Sequence, residues 1–116
     1  MTAINLKEKL AKFDDCWSPK IISSYNDSDV MLAKFEGEFT WHSHPDTDDF
    51  FLVIEGDVTI EMPNETVHLG PGDLYVVPKG VEHKPSTKNG ASVLLIEPVG
   101  TPNSGDEKTA AKKVHI

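Results

Sequence analysis

An all-β sandwich or barrel is the fold class that this sequence predicts, and three observations support it. Short β-favouring runs follow one another from residue 20 to residue 98. Turn residues separate these runs at intervals of about eight to twelve residues, as at Gly70-Pro71-Gly72 and Pro78-Lys79-Gly80. No helical pattern interrupts the series, which excludes alternating α/β architectures. A closed sheet would also leave no exposed edge strand.

Nine runs qualify as predicted strands. Each is rich in β-branched or aromatic residues and is bounded by glycine, proline, asparagine or aspartate. The predicted strands are 20–24, 30–36, 39–44, 50–55, 58–62, 66–69, 74–77, 83–86 and 91–97.

A short helix is predicted over residues 5–13, ahead of the first strand. Asn5 is a suitable N-cap, and a glutamate follows three residues later. Leu6, Leu10 and Phe13 fall on one stripe of such a helix. The helix would therefore have one apolar stripe.

The chain divides into three parts. Residues 1–19 form the N-terminal helix and lead-in, residues 20–98 the β-barrel, and residues 99–116 a C-terminal tail. Within the tail, residues 107–114 are rich in alanine and lysine, which predicts either a terminal helix or a loose extension.

Length, charge and hydropathy exclude several function classes. The 116 residues suit one domain. The net charge is −8 and all 11 basic residues are lysine, so we expect no binding to nucleic acid or to an anionic membrane. The longest apolar run, residues 50–54, is too short to span a bilayer. The absence of an apolar leader and the single Cys16 predict a cytoplasmic protein.

Three histidines and one aspartate predict a metal site. His42 and His44 are two residues apart on a predicted strand, so their imidazoles point to the same side of the sheet. Asp49 begins the next predicted strand, and His83 follows a proline-containing turn. Three imidazoles and one carboxylate would hold a divalent first-row metal, with positions left for water or substrate.

Two stretches of the chain resemble the motifs of the cupin superfamily. Residues 37–56, GEFTWHSHPDTDDFFLVIEG, resemble the first cupin motif, and residues 72–83, GDLYVVPKGVEH, resemble the second. The resemblance, which includes small single-domain cupins similar to mannose-6-phosphate isomerase, implies a double-stranded β-helix, or jelly-roll, barrel. It also implies one divalent ion per chain, Fe, Mn, Ni, Cu or Zn. The implied ligands are His42, His44, Asp49 and His83.

The sequence departs from the cupin pattern at a few positions. Asp49 replaces the usual glutamate and is one methylene shorter, so we expect its oxygen to fall about 1.5 Å short of a glutamate's reach unless the strand or the metal shifts. Asp48 is the alternative carboxylate. One residue fewer separates Gly37 from His42 than in the general pattern, and Thr87 replaces the asparagine that closes the second motif.

Three function classes remain open at this stage. The first is a metal-dependent enzyme acting on a small carbonyl, carboxylate or sugar-like compound, as an oxygenase or as an isomerase or lyase. The lack of arginine disfavours a sugar-phosphate substrate. The second class is a non-catalytic module that binds or senses a small ligand, with or without metal. The third is a metal-free structural or storage barrel.

Further residues are assigned provisional roles. Glu82 and Tyr75 are candidate proton-transfer residues, and Phe51 shares the face of Asp49 and would line a pocket.

Resemblance to small cupins implies a homodimer that pairs through sheet surfaces. Its apolar patch would come from residues such as Val30, Leu32 or Phe50.

Overall fold

The computed structural model describes residues 2–116 as an antiparallel jelly-roll barrel with one short helix. Helix α1 spans Leu6–Leu10. The strands are β1 Lys20–Tyr25, β2 Ser28–Glu38, β3 Asp49–Gly56, β4 Val58–Glu61, β5 Thr66–Leu69, β6 Leu74–Val77, β7 Lys84–Pro98 and β8 Val114–His115. The predicted all-β jelly-roll fold is confirmed.

Strand β7 pairs with three other strands. It pairs with β2 along most of its length, with β4 over residues 84–86 and with β3 over residues 91–94. Gly90, which lies between the last two stretches, has a φ of 91°. Strand β3 also pairs with β6, and β4 also pairs with β5. The remaining sheet order is β2-β1-β8.

Three of the predicted strands differ from the structure. The predicted strands 83–86 and 91–97 form the single strand β7, because the pairing with β2 resumes after a register shift between Phe35 and Gly37. The predicted strand 39–44 is an irregular segment. It meets the rest of the sheet through an isolated bridge between His42 and His83.

The C-terminal tail is neither a helix nor a loose extension. Residues 99–113 form successive turns, in which the Ser104 hydroxyl donates to the Asp106 carbonyl at 2.9 Å. The Ala111 N–H donates to the Asn103 side chain at 2.9 Å, which takes it out of helical pairing. The chain then adds β8 in parallel to β1.

The barrel core and the helix occupy opposite faces of the sheet. Met31, Ala33 and Val93 point inward and are fully buried. On the outer face, Leu10 and Phe13 pack against Leu32, which is also fully buried. The expectation that Leu32 contributes to an exposed patch is therefore wrong, because the N-terminal segment covers it.

Helix α1 is shorter than predicted. Asn5 is its N-cap, and the side chain of Asn5 accepts a hydrogen bond from the Glu8 N–H at 2.9 Å. The five residues from Leu6 to Leu10 are helical. Within residues 2–116, no helix is long and apolar enough to cross a membrane.

Gly56, the last residue of β3, provides a test of the packing. Its φ is +81°, and an added Cβ would overlap the backbone of Gly90 and Ala91. We expect Gly56→Ala to lower the free energy of unfolding by about 2–4 kcal/mol, from backbone strain plus overlap. Urea unfolding measures this loss.

Gly72→Ala is the matched control. Gly72 has a φ of +85°, but no atom lies within 4 Å of its added Cβ. The free energy of unfolding of this variant should fall only by the cost of backbone strain, about 1–2 kcal/mol. Equal losses in the two variants would contradict the close approach of β3 and β7 at Gly56.

Candidate metal centre

Four buried side chains converge from three parts of the fold. His42 and His44 come from the segment between β2 and β3, Asp49 is the first residue of β3, and His83 directly precedes β7. All four are at most 9% exposed. One ligand atom from each lies within 4.8 Å of the others. The residues that the two motifs predicted as ligands are thus brought together.

Backbone contacts fix the orientation of two imidazoles. The backbones of His42 and His83 exchange hydrogen bonds of 3.0 and 2.9 Å. Nδ1 of His42 lies 2.9 Å from the Thr40 carbonyl, and Nδ1 of His83 lies 2.9 Å from the Val81 carbonyl. A carbonyl only accepts, so each Nδ1 carries the proton and each Nε2 faces the cluster as a potential ligand.

The Asp49 carboxylate lies among the three imidazoles. Its Oδ2 is 2.7 Å from Nε2 of His83, 3.2 Å from that of His44 and 3.8 Å from that of His42. Two ligands bound at about 2.0–2.2 Å to one ion, at right angles, lie about 3 Å apart. The separations therefore suit a shared metal ion.

His44 provides a second indication that the cluster suits a metal ion. Its Nε2 is buried and makes no hydrogen bond of regular geometry within residues 2–116, although it lies 3.2 Å from Asp49 Oδ2. A buried unpaired polar atom costs about 1–3 kcal/mol. A cation at the cluster would satisfy this nitrogen, and the donor set of three imidazoles and one carboxylate suits a divalent transition metal.

The cluster shifts the protonation of its members. Burial by itself raises the pKa of Asp49, but the three surrounding imidazoles outweigh burial and hold that pKa well below its usual range. Burial lowers the pKa of His44, but the adjacent Asp49 carboxylate outweighs this effect and leaves the pKa above its usual value. The site thus favours a carboxylate anion with positive charge around it.

Asp49 reaches the cluster in spite of its shorter side chain. As the first residue of β3, it places its Oδ2 within 3.8 Å of all three imidazoles. The alternative carboxylate, Asp48, lies outside the cluster. It accepts a hydrogen bond from the Lys79 N–H at 2.9 Å and so holds the turn instead.

A small cavity adjoins the cluster inside the barrel. Its volume is about 30 Å³, room for about two water-sized groups. Phe51 lines it together with His42 and Asp49. Trp17 forms part of the wall and stacks on Phe35 with ring centroids 4.2 Å apart. The cavity is therefore largely aromatic, with the metal ligands on one side.

Tyr75 and Glu82 lie elsewhere. They line a surface groove with Glu65, and none of the four clustered residues lines that groove. The Tyr75 hydroxyl donates to Glu65 at 3.2 Å. The structure does not bring these two candidates to the metal centre, and their catalytic roles remain predictions.

Glu97 is a buried acidic residue that the sequence reasoning missed. It lies on β7, is 3% exposed and lines the same cavity. Lys113 of the tail donates to its Oε2 at 3.3 Å. Burial, with help from the charge of Asp49, raises the pKa of Glu97 to about 7, against the opposing effect of Lys113. Alternation along 91–97 was the available signal, since it places Glu97 on the inward face with Val93.

The fold and this site together define a cupin. Residues 29–97 match the Cupin_2 family, described as a cupin domain, and the chain belongs to this family. The chain is 42% identical over 83 residues to the uncharacterized protein YdbB of Bacillus subtilis, which covers 71% of this chain and 67% of YdbB. A crystal structure of a cupin-2 domain containing protein from Shewanella frigidimarina has 45% identity and a TM-score of 0.81. That likeness covers 82% of this chain and 93% of the other.

A further curated relative carries a named activity. The acireductone dioxygenase of Rhodopseudomonas palustris is 34% identical over 61 residues, which cover 49% of this chain and 34% of that enzyme. The chain thus spans about a third of the length of this relative.

The raised pKa of Glu97 predicts a pH-dependent stability in the metal-free protein. A folded pKa of about 7 against an ordinary 4.5 means that the folded state binds this proton more tightly. The stabilisation is complete below pH 4.5 and is lost as the pH rises through about 7. The free energy of unfolding of Glu97→Gln should therefore rise by up to about 3 kcal/mol relative to that of wild type over this pH range.

Chemical denaturation across that pH range, with chelator present, measures the effect. Glu55→Gln is the control, since Glu55 is exposed and does not line the cavity. A stability difference between Glu97→Gln and wild type that stays constant with pH would contradict the assignment.

Proposed function

We propose that this cupin is a metal-dependent enzyme acting on a small carbonyl, carboxylate or sugar-like compound. The reaction would be of the dioxygenase or of the isomerase or lyase type. The observation that carries the proposal is the buried cluster with an unpaired His44 Nε2 beside a cavity. The partial similarity to an acireductone dioxygenase supports the dioxygenase type.

The ion would be Fe, Mn, Ni, Cu or Zn, one per chain, held by His42, His44, Asp49 and His83. When bound, it supplies Lewis acidity or activates dioxygen. The protein holds the His42 and His83 rings in place through the Thr40 and Val81 carbonyls. The aromatic walls of the cavity exclude water from the reacting end of the ligand.

A non-catalytic module that binds or senses a small ligand is the alternative. The small cavity favours it, because about 30 Å³ holds only the end of a ligand unless the wall moves. Turnover separates the two functions, since only an enzyme consumes the compound or dioxygen.

The first test compares wild type with the double variant His42→Ala/His83→Ala. Wild type should contain about one equivalent of metal by plasma mass spectrometry, and the double variant should lose it because two of four ligands are gone. The Fe(II)-loaded wild type should consume dioxygen or convert a member of a carbonyl and catechol panel, and the double variant should not.

His68→Ala is the control, because His68 is exposed and, among residues 2–116, its side chain hydrogen-bonds to Thr59 and to none of the four clustered residues. It should keep metal and activity. Metal retained in the double variant, or a wild type that refuses added Fe(II), Mn(II) and Zn(II), would refute the metal site. A loaded but inactive wild type would favour the binding module.

We also propose a homodimer that pairs through the outer face of β3 and β6. Leu74 and Val76 on β6 are 51% and 38% exposed, and Val76 pairs with the half-buried Phe50. Together they form an apolar surface that a second copy would bury.

The double variant Leu74→Glu/Val76→Glu should be monomeric, because dimerisation would bury four unpaired carboxylates. Light scattering after size exclusion measures the mass. Tyr25→Glu, at a 65% exposed position outside this face, should remain dimeric. A monomeric wild type would refute the proposal.

A further inference from the structure

Glu97 lines the cavity that adjoins the metal cluster. It follows Val93 and Leu95 on the inward face of β7, and its residue is 3% exposed. The cavity that it lines is shared with His42 and Asp49. A group bound in this small space would therefore touch the ligand end of the cluster and the Glu97 carboxylate together.

Lys113 is the one hydrogen-bond donor to the Glu97 carboxylate among residues 2–116. It donates to Oε2 at 3.3 Å and also to the Thr101 carbonyl. Its side chain is 13% exposed, so the ion pair is largely removed from water. Because the described residues give Oε1 no donor, that oxygen is available to a bound ligand.

The tail holds Lys113 in this position through contacts at several points. The Asn103 amide donates to the Trp17 carbonyl at 3.1 Å, and β8 pairs with β1. Gly105 lies so close to the backbone of Ser43 that a Cβ would overlap it. The tail thus spans from Glu97 to the segment that carries His42 and His44.

Other charged groups surround Glu97. Asp29 of β2 lies directly opposite Glu97 in the strand register and is buried. Asp49 and His44 also act on Glu97 through their charges. Lys113 therefore compensates for a concentration of negative charge at this end of the cavity.

We propose that Glu97 is a catalytic residue that accepts a proton from the ligand, and that Lys113 is the residue that positions it. The proposal rests on the proposed metal-dependent function. An O–H, N–H or C–H bond of the ligand breaks, and the proton forms an O–H bond on Glu97. The electron pair stays on the ligand as an anion, so no oxidant or reductant is needed. The ligand class is a small weak acid with an oxygen donor, such as a hydroxycarbonyl compound.

Acetohydroxamic acid and Zn(II)-loaded protein provide the test. The probe loses one proton when it binds a metal as the hydroxamate anion. Calorimetry in two buffers of different ionisation enthalpy counts the protons released on binding. The measurement is made about one pH unit above 7, where the added positive charge of Zn(II) further favours the ionised form of Glu97 in wild type.

Wild type should release close to no protons, because Glu97 takes up the proton. Glu97→Gln should release about one proton per probe bound. Glu55→Gln, with its change at an exposed carboxylate, should behave as wild type. Equal release from wild type and Glu97→Gln would overturn the proposal and leave the metal site standing. Failure of wild type to bind Zn(II) would overturn the proposed function and this inference together.

Lys113→Met tests the positioning role. Loss of the cation raises the pKa of Glu97, so proton release at the same pH should rise toward one. It should fall again at higher pH, and Lys113→Arg should restore the wild-type count. A Lys113→Met protein with the wild-type count at every pH would overturn this role.

A pH series on wild type keeps the test valid if Glu97→Gln does not fold. Release should be about one proton well below the pKa of Glu97 and should approach zero above it. A constant release of one proton across the series would overturn the proposal.

Discussion

The burial of one carboxylate among three imidazoles is the constraint on which the site depends. Asp49 Oδ2 lies 2.7 Å from Nε2 of His83, and both side chains are almost fully buried. The Nδ1 atom of His83 faces a carbonyl, so its proton is committed there. An unprotonated Nε2 would then oppose the carboxylate lone pairs. The cluster therefore needs positive charge at its centre, supplied either by protons or by a metal ion.

Backbone hydrogen bonds hold the segments that carry the three histidines. The backbone bridge between His42 and His83 joins the irregular segment after β2 to the start of β7. The Gly80 N–H donates to the His44 carbonyl at 2.8 Å and links the same segment to the turn before His83. These contacts between ligand-bearing segments would lower the ordering cost of binding an ion.

Local patterns made most of the barrel and the ligand set predictable. The bounds of β5 and β6 match the predicted strands, because short apolar runs between strong turn residues leave little freedom. The four residues that the two motifs predicted as ligands also lie together. The turn residues before Gly90 wrongly predicted a break between two strands. Pairing with β2 on both sides of them outweighed their local preference for a turn.

The parts of the site that could not be predicted depend on long-range contacts. Lys113 meets Glu97 only because the tail returns to the barrel as β8, and no periodicity in residues 99–116 indicates that return. The burial of Leu32 likewise depends on packing of the N-terminal segment. The alternation along β7, which turns Glu97 inward, was the one local signal for this part of the site. The partner of Glu97, Lys113, lies 16 residues further along the chain.

The charges of the completed site indicate which ligand form it would hold. Three neutral imidazoles, the Asp49 carboxylate and a divalent ion would sum to one positive charge, while Glu97 and Lys113 offset each other. A ligand bound as a monoanion would bring the metal end of the site to neutrality, which a low-dielectric interior favours. If Glu97 takes the proton that the ligand loses, the anion forms inside the site and the total charge does not change. A neutral ligand could then enter the aromatic cavity without the desolvation cost of an anion, and would ionise only where the cation stabilises it.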